Sequence, residues 1–230
     1  MAGAGGLSIS ESHKVLLLGA SGLTGGHCLD LLLNEARVAQ LTTLARRPLA
    51  KQHAKLVQRP FQQQLSEQQD AFVGVDVVIC CLGTTIKKAG SKAAFKQVDF
   101  DLCLEAARLA KQQQVARFVI ISAVNADANG MGFYARTKGE LETALRALDL
   151  LQLVIAKPSL LLGERDESRP METLGQVLLK PLVPVLAKLS PASTPISGQQ
   201  LARALVAVAL QESCPPVLVL RYPELVQLAR

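Results

Sequence analysis

The chain of 230 residues has no Trp, two Tyr and six Phe, so aromatics make up only 3% of it. Its core must therefore be built from Leu, Val, Ile and Ala, and the 49% hydrophobic content suits one well-buried α/β domain. Only three histidines occur, His13, His27 and His53. None stands at ligand spacing from another His or a Cys, so no metal is expected. The five cysteines are odd in number and have no C-x-x-C spacing. Cys80 and Cys81 are neighbours on an expected strand, where they point to opposite faces and make poor partners for each other. With Cys28, Cys103 and Cys214 they read as buried thiols of a reducing compartment. A redox role for Cys81 is the lesser alternative.

Long apolar runs are also missing. Residues 174–189 are interrupted by Lys180, Pro181, Pro184 and Lys188, which leaves no stretch able to span a bilayer. Residues 1–10 lack the basic start and apolar run of a secretory signal. These absences set the expectation of a cytoplasmic location. The net charge is +6, but no lysine run is interleaved with aromatics, so nucleic acid is not an expected partner. The excess reads as a solvated surface, or as basic residues gathered near an anionic cofactor.

The most informative stretch is Gly19-Ala-Ser21-Gly22-Leu23-Thr24-Gly25. It follows the apolar run Val15-Leu16-Leu17-Leu18, which reads as a buried parallel strand, and it leads into a helical pattern. A dinucleotide pyrophosphate site needs this order of strand, glycine loop and helix. The first glycine allows a tight turn, the second lets backbone N–H groups approach phosphate, and the third lets helix pack close to strand. The helix N-terminus then points free N–H groups and a positive dipole end at the anion. Gly3-Ala-Gly5-Gly6 has glycines but no preceding strand, and residues 1–12 read as a flexible tail.

Strand and helix signals alternate along the chain. Strands are expected at 14–19, 41–45, 55–59 (weak), 75–80, 117–122 and 151–156. Helices are expected at 24–34, 99–113 and 133–148. This alternation predicts an α/β fold, a doubly wound parallel sheet with right-handed crossovers. After Gly163 the pattern changes to a charged loop at 164–170, helices near 171–179 and 199–211, a strand at 217–220 and a last helix at 223–229. Residues 13–230 read as a single domain, with 164–230 supplying substrate-side and C-terminal elements.

About 20 residues beyond the glycines, an acidic residue usually holds a free adenosine 2′-OH. Here that region is Leu44-Ala-Arg46-Arg47-Pro48, with two arginines and no acid. A guanidinium fork suits a 2′-phosphate, so NADP(H) is expected over NAD(H). Lys87, Lys88 and Lys92 follow the fourth strand and add positive potential at the same sheet edge.

Tyr134 and Lys138 lie one turn apart on one helix face. A phenol with pKa near ~10 is a poor base at neutral pH. A nearby ammonium and an oxidised nicotinamide both favour its phenolate. Tyr134 is then placed to exchange a proton with a substrate oxygen while hydride moves. Lys138 also suits the nicotinamide ribose hydroxyls, and Ser122, at a strand end, suits the same substrate oxygen.

With these pieces the chain resembles an atypical short-chain dehydrogenase/reductase, Ser122, Tyr134 and Lys138 matching that superfamily's catalytic trio. More narrowly it resembles the oxidoreductases related to the Tat-interacting protein. The matching residues are Gly19-Ala-Ser-Gly22-x-Thr24-Gly25, Cys80-Cys-Leu-Gly83-Thr-Thr85, Lys88-Ala-Gly90, Val98-Asp99, Tyr134-x-x-x-Lys138-Gly-Glu140 and Glu167-Ser-Arg-Pro170. The resemblance implies an NAD(P)-binding Rossmann fold that takes NADPH. It implies Leu82, Gly83 and Thr84 beside the adenosine and ribose, and Pro158 to Leu161 near the nicotinamide. Where the superfamily often carries an acid after strand three, this chain has Arg59-Pro60-Phe61.

Two functions follow. One is an NADP-dependent oxidoreductase acting on a small carbonyl or alcohol, with Tyr134 as general acid/base. The other is an NADPH-binding sensor or regulatory interaction protein with little turnover. Residues 174–189 read as a pocket lid or dimer face, so a homodimer or protein partner is an open expectation; a membrane partner is given little weight.

Overall fold

A computed structural model describes residues 12–62, 64–162 and 194–230. Residues 1–11 and 163–193, with the expected tail, the 164–170 loop, the helix near 171–179 and the 174–189 stretch, lie outside the described residues.

The strands are β1 (His13–Leu18), β2 (Val38–Ala45), β3 (Leu56–Pro60), β4 (Val77–Cys80), β5 (Arg117–Ile121), β6 (Leu153–Ala156), β7 (Leu161–Leu162), β8 (Ile196–Ser197) and β9 (Val217–Leu220). Seven of them form one sheet in the order β3-β2-β1-β4-β5-β6-β9, and every pairing in it is parallel. β7 and β8 pair separately, also in parallel. The helices are α1 (Leu23–Asn34), α2 (Ile86–Ala89), α3 (Lys92–Lys96), α4 (Cys103–Gln112), α5 (Phe133–Ala147), α6 (Gly198–Ala209) and α7 (Tyr222–Leu228). The expected doubly wound parallel sheet is present. Its order reverses between β1 and β4, and crevices at such a switch point bind ligands.

Alternation along each strand divides the core in two. Val15, Leu17, Val77, Ile79, Val119 and Val154 pack with α1, α6 and α7 on one face. Leu16, Leu18, Val78, Cys80, Ile120 and Ile155 pack with α4 and α5 on the other. Strands buried on both sides read as continuous apolar runs, which is why β1, β4, β5 and β6 were visible in the sequence. Cys80 and Cys81 do face opposite sides, each packing with a different cluster.

Boundaries differ where tertiary contacts intervene. β4 starts at Val77, and Asp76 just before it is tied to both neighbouring strands. Oδ2 accepts the Lys14 backbone N–H at 2.7 Å, and the Asp76 carbonyl accepts that of Arg117 at 3.2 Å. The helix expected at 99–113 begins earlier. Ser91 caps α3 by accepting the Ala94 N–H, and a π turn, Gln97–Leu102, joins α3 to α4. A 3₁₀ segment, Leu65–Phe72, had no sequence signal.

Two glycines are dictated by close approach. Gly19 has φ +82°, and a Cβ there would stand 2.6 Å from the Cys81 carbonyl oxygen. A Cβ on Gly25 would stand 2.0 Å from the Gly19 carbonyl oxygen, so α1 lies directly on the turn after β1. Gly25→Ala is expected to destabilise the fold by about 1–3 kcal/mol through overpacking against backbone, read as a lower urea midpoint.

His13 opens β1 at 4% exposure, and its Nδ1 has no hydrogen-bond partner. Burial holds its pKa below the ordinary 6.5, against a smaller opposing pull from Asp76. A histidine buried neutral stabilises the fold above the unfolded pKa, and that contribution fades as pH falls below it. The urea midpoint should therefore drop between about pH 7.5 and 5, and drop less in His13→Leu.

Candidate functional site

The carboxyl ends of β1, β2, β4, β5 and β6 bring most of the candidate residues to one edge. Gly19, Ser21, Gly22, Leu23, Thr24 and Gly25 form the β1–α1 turn and first helical turn. No side chain caps α1, and its first turn holds no acid. The leading N–H groups of a helix have no intrahelical acceptor. A backbone packed too closely for any Cβ therefore presents uncapped donors at the switch point, a cradle that fits a pyrophosphate.

The β4 loop lies against this turn. The Cys81 N–H donates to the Leu18 carbonyl at 2.9 Å. Leu82 and Thr84 are half-buried and Gly83 is exposed. The Thr84 N–H donates to Asp99 Oδ2 at 2.7 Å. Arg46 and Arg47 follow β2 and are exposed; neither forms an ion pair with another described residue. Arg59 is engaged elsewhere, 2.8 Å from Asp70. Lys87, Lys88 and Lys92 are exposed after β4, and Lys92 lies over the Phe133 ring at 5.4 Å.

Tyr134 and Lys138 both sit on α5, as expected, but in different surroundings. Tyr134 is 38% exposed, and its ring packs on that of buried Phe95 at 5.7 Å between centroids. Lys138 is buried and holds Asp99 Oδ1 at 2.8 Å. Burial alone would lower the Lys138 pKa, but Asp99, Cys103 and Tyr134 more than offset it, and the net shift is upward. Asp99 stands in the π turn between α3 and α4, an irregularity frequent at functional sites. Sequence reasoning listed Asp99 only as part of a resemblance and missed its bond to Lys138.

Ser122, one residue past β5, gives its hydroxyl proton to Glu142 Oε1 at 2.5 Å. Glu142 was missed as well, although its place four residues after Lys138 was a usable signal. Pro158 is buried just past β6, and Leu161 begins β7.

The five cysteines are free thiols. Hydrogen bonding to Cys28, then burial, raises the Cys81 pKa well above the ordinary range, so Cys81 stays protonated and weakly reactive. Cys103 is likewise raised, by Cys80 and by burial; their Sγ atoms lie 3.9 Å apart. Among the described residues, no group of three or more His, Cys, Asp or Glu is arranged to hold a metal ion, and no helix is long and apolar enough to cross a membrane.

The sequence pattern of the NAD(P)H-binding family matches residues 19–214. The chain belongs to that family, as an atypical short-chain dehydrogenase/reductase with a Rossmann fold. Protein HTATIP2 of Rattus norvegicus is 36% identical over 170 residues, 72% of this chain and 70% of its own length. Protein fmp52, mitochondrial, of Emericella nidulans is 34% identical over 170 residues, 71% of this chain and 73% of its own. The mitochondrial FMP52 of Candida albicans is 33% identical over 187 residues, 74% and 82% respectively. Among solved structures, MoeE5 in complex with UDP-glucose and NAD superposes with TM-score 0.66 at 17% identity, covering 94% of this chain and 80% of that one. The human epimerase family protein SDR39U1 with NADPH gives 0.59 at 16% identity, covering 91% and 74%. At these identities the solved structures speak to fold alone, and between them they hold both NAD and NADPH.

The mitochondrial names of these relatives overturn the expectation of a cytoplasmic location. The missing secretory start bore only on secretion, because organelle leaders have a different composition.

Asp99→Asn should leave the Lys138 ammonium buried without its counter-charge. A loss of about 3–5 kcal/mol in unfolding free energy is expected, measured by urea denaturation.

Proposed function

We propose that this protein is an NADP(H)-dependent oxidoreductase acting on a small carbonyl or alcohol. The observation that carries the reading is the uncapped N-terminus of α1, pressed onto Gly19 at the switch point, with α5 bringing Tyr134 and buried Lys138 to the same edge. The amides of Leu23 to Gly25 hold the pyrophosphate, Leu82 to Thr84 line the adenosine and its ribose, and Pro158 and Leu161 flank the nicotinamide. Arg46 and Arg47 take the 2′-phosphate, since both are exposed and neither pairs with an acid among the described residues. The bound nicotinamide supplies or accepts the hydride.

Tyr134 passes the proton to or from the substrate oxygen. An ammonium has three N–H donors; Lys138 gives one to Asp99 and keeps the others for ribose hydroxyls. Residues 13–230 act as one unit in this reading.

One observation favours the second reading, an NADPH sensor with little turnover. The single proton of Ser122 goes to Glu142, so in this arrangement Ser122 accepts rather than donates. Tyr134→Phe separates the two readings. In the enzyme it lowers turnover by about 10²-fold or more and leaves NADPH binding nearly intact; in a sensor it changes neither nucleotide binding nor its effect on a partner.

Replacing Arg46 and Arg47 together by Ala should weaken NADPH by about tenfold or more and leave NADH unchanged. Calorimetric titration with each nucleotide checks this, and equal loss for both removes the arginines from the site.

A further inference from the structure

The stripe of α5 that carries Tyr134 and Lys138 continues to Glu142, one more turn along. Glu142 is buried at 4% exposure, and separate segments of the carboxyl edge converge on it. Ser122, past β5, donates to Oε1 at 2.5 Å. Lys157, past β6, places Nζ 2.9 Å from Oε1 and 3.1 Å from Oε2. The same ammonium donates to the Ala126 carbonyl at 3.3 Å, which ties in the connection from β5 to α5. Arg146 approaches Oε2 at 3.4 Å. The backbone agrees with this arrangement, because the Ser122 N–H donates to the Ala156 carbonyl at 2.7 Å. The adenosine side is held differently, with Thr84 tied to Asp99 and Gly19 against Cys81.

We propose that Glu142 is a positioning residue for the nicotinamide half of the site. Its carboxylate fixes the ends of β5 and β6 and the 122–132 connection against α5, and it acts through Ser122 and Lys157. The inference rests on the NADP(H) reading above. A carboxylate suits the task because it accepts from a hydroxyl and an ammonium at once, with about four lone-pair directions. An amide has one acceptor oxygen and turns N–H donors toward Lys157. Lys157 then has a buried charge with no counter-charge, and its displacement moves Pro158, the next residue.

The test compares NADPH with 2′-phospho-ADP-ribose, which has the same adenosine and pyrophosphate but no nicotinamide. Calorimetry is run on the wild type, on Glu142→Gln, and on Glu142→Gln combined with Lys157→Met, which removes the stranded ammonium. The NADH and ADP-ribose pair serves if NADH binds more tightly. Glu142→Gln should raise the NADPH Kd about tenfold and leave that of 2′-phospho-ADP-ribose within about twofold. The double variant should show the same split, and it decides the matter if the single one does not fold. Equal weakening of both ligands, no change in either, or failure of both variants to fold overturns the role of Glu142. A wild type that binds no nucleotide overturns the cofactor reading itself, whereas a wild type that binds, with variants that show no split, overturns only this inference.

Discussion

At the switch point, α1 rests on the turn after β1 with backbone against backbone. Gly25 faces the Gly19 carbonyl, Gly19 faces the Cys81 carbonyl, and no side chain fits between them. The contact leaves the first N–H groups of α1 uncapped in the crevice between β1 and β4. The other candidate groups sit at the same carboxyl edge because the strands are parallel and in register with β1: Arg46 and Arg47 beyond β2, Leu82 to Thr84 beyond β4, Ser122 beyond β5, and Pro158 beyond β6.

The other half of the site depends on buried charge. Lys138 with Asp99, and Lys157 with Glu142, are ion pairs of low exposure beside a largely apolar core. Such pairs add little net stability compared with apolar residues of similar volume. Their position at the ligand-binding edge therefore speaks for a role in the site. Asp99 also changes the argument made from sequence about Tyr134. The Lys138 ammonium on α5 is paired with a carboxylate and is not the lone ammonium that the Tyr/Lys spacing suggested.

The fold was legible where the signal was local. Apolar runs marked β1, β4, β5 and β6 because both sheet faces are covered, and the glycine loop marked the crevice. Tyr134 and Lys138 were legible as neighbours on one helix face. What stayed hidden depends on contacts between residues far apart in the chain. Asp99, buried in the π turn, meets Lys138 on α5. Glu142 meets Ser122 and Lys157 from separate strand ends. β7 and β8 are two residues each and pair across a long separation, with too few side chains for a period to register. The orientation of the Ser122 proton has no sequence signature at all.

In the proposed complex a nicotinamide dinucleotide lies with its pyrophosphate on the N-terminus of α1. The most direct test follows the backbone amide resonances of the isotope-labelled protein as NADPH is added. Saturable shifts are expected at Leu23, Thr24 and Gly25, together with the loop at Leu82 to Thr84. Saturable binding that leaves those amides unmoved, or no binding, would contradict it.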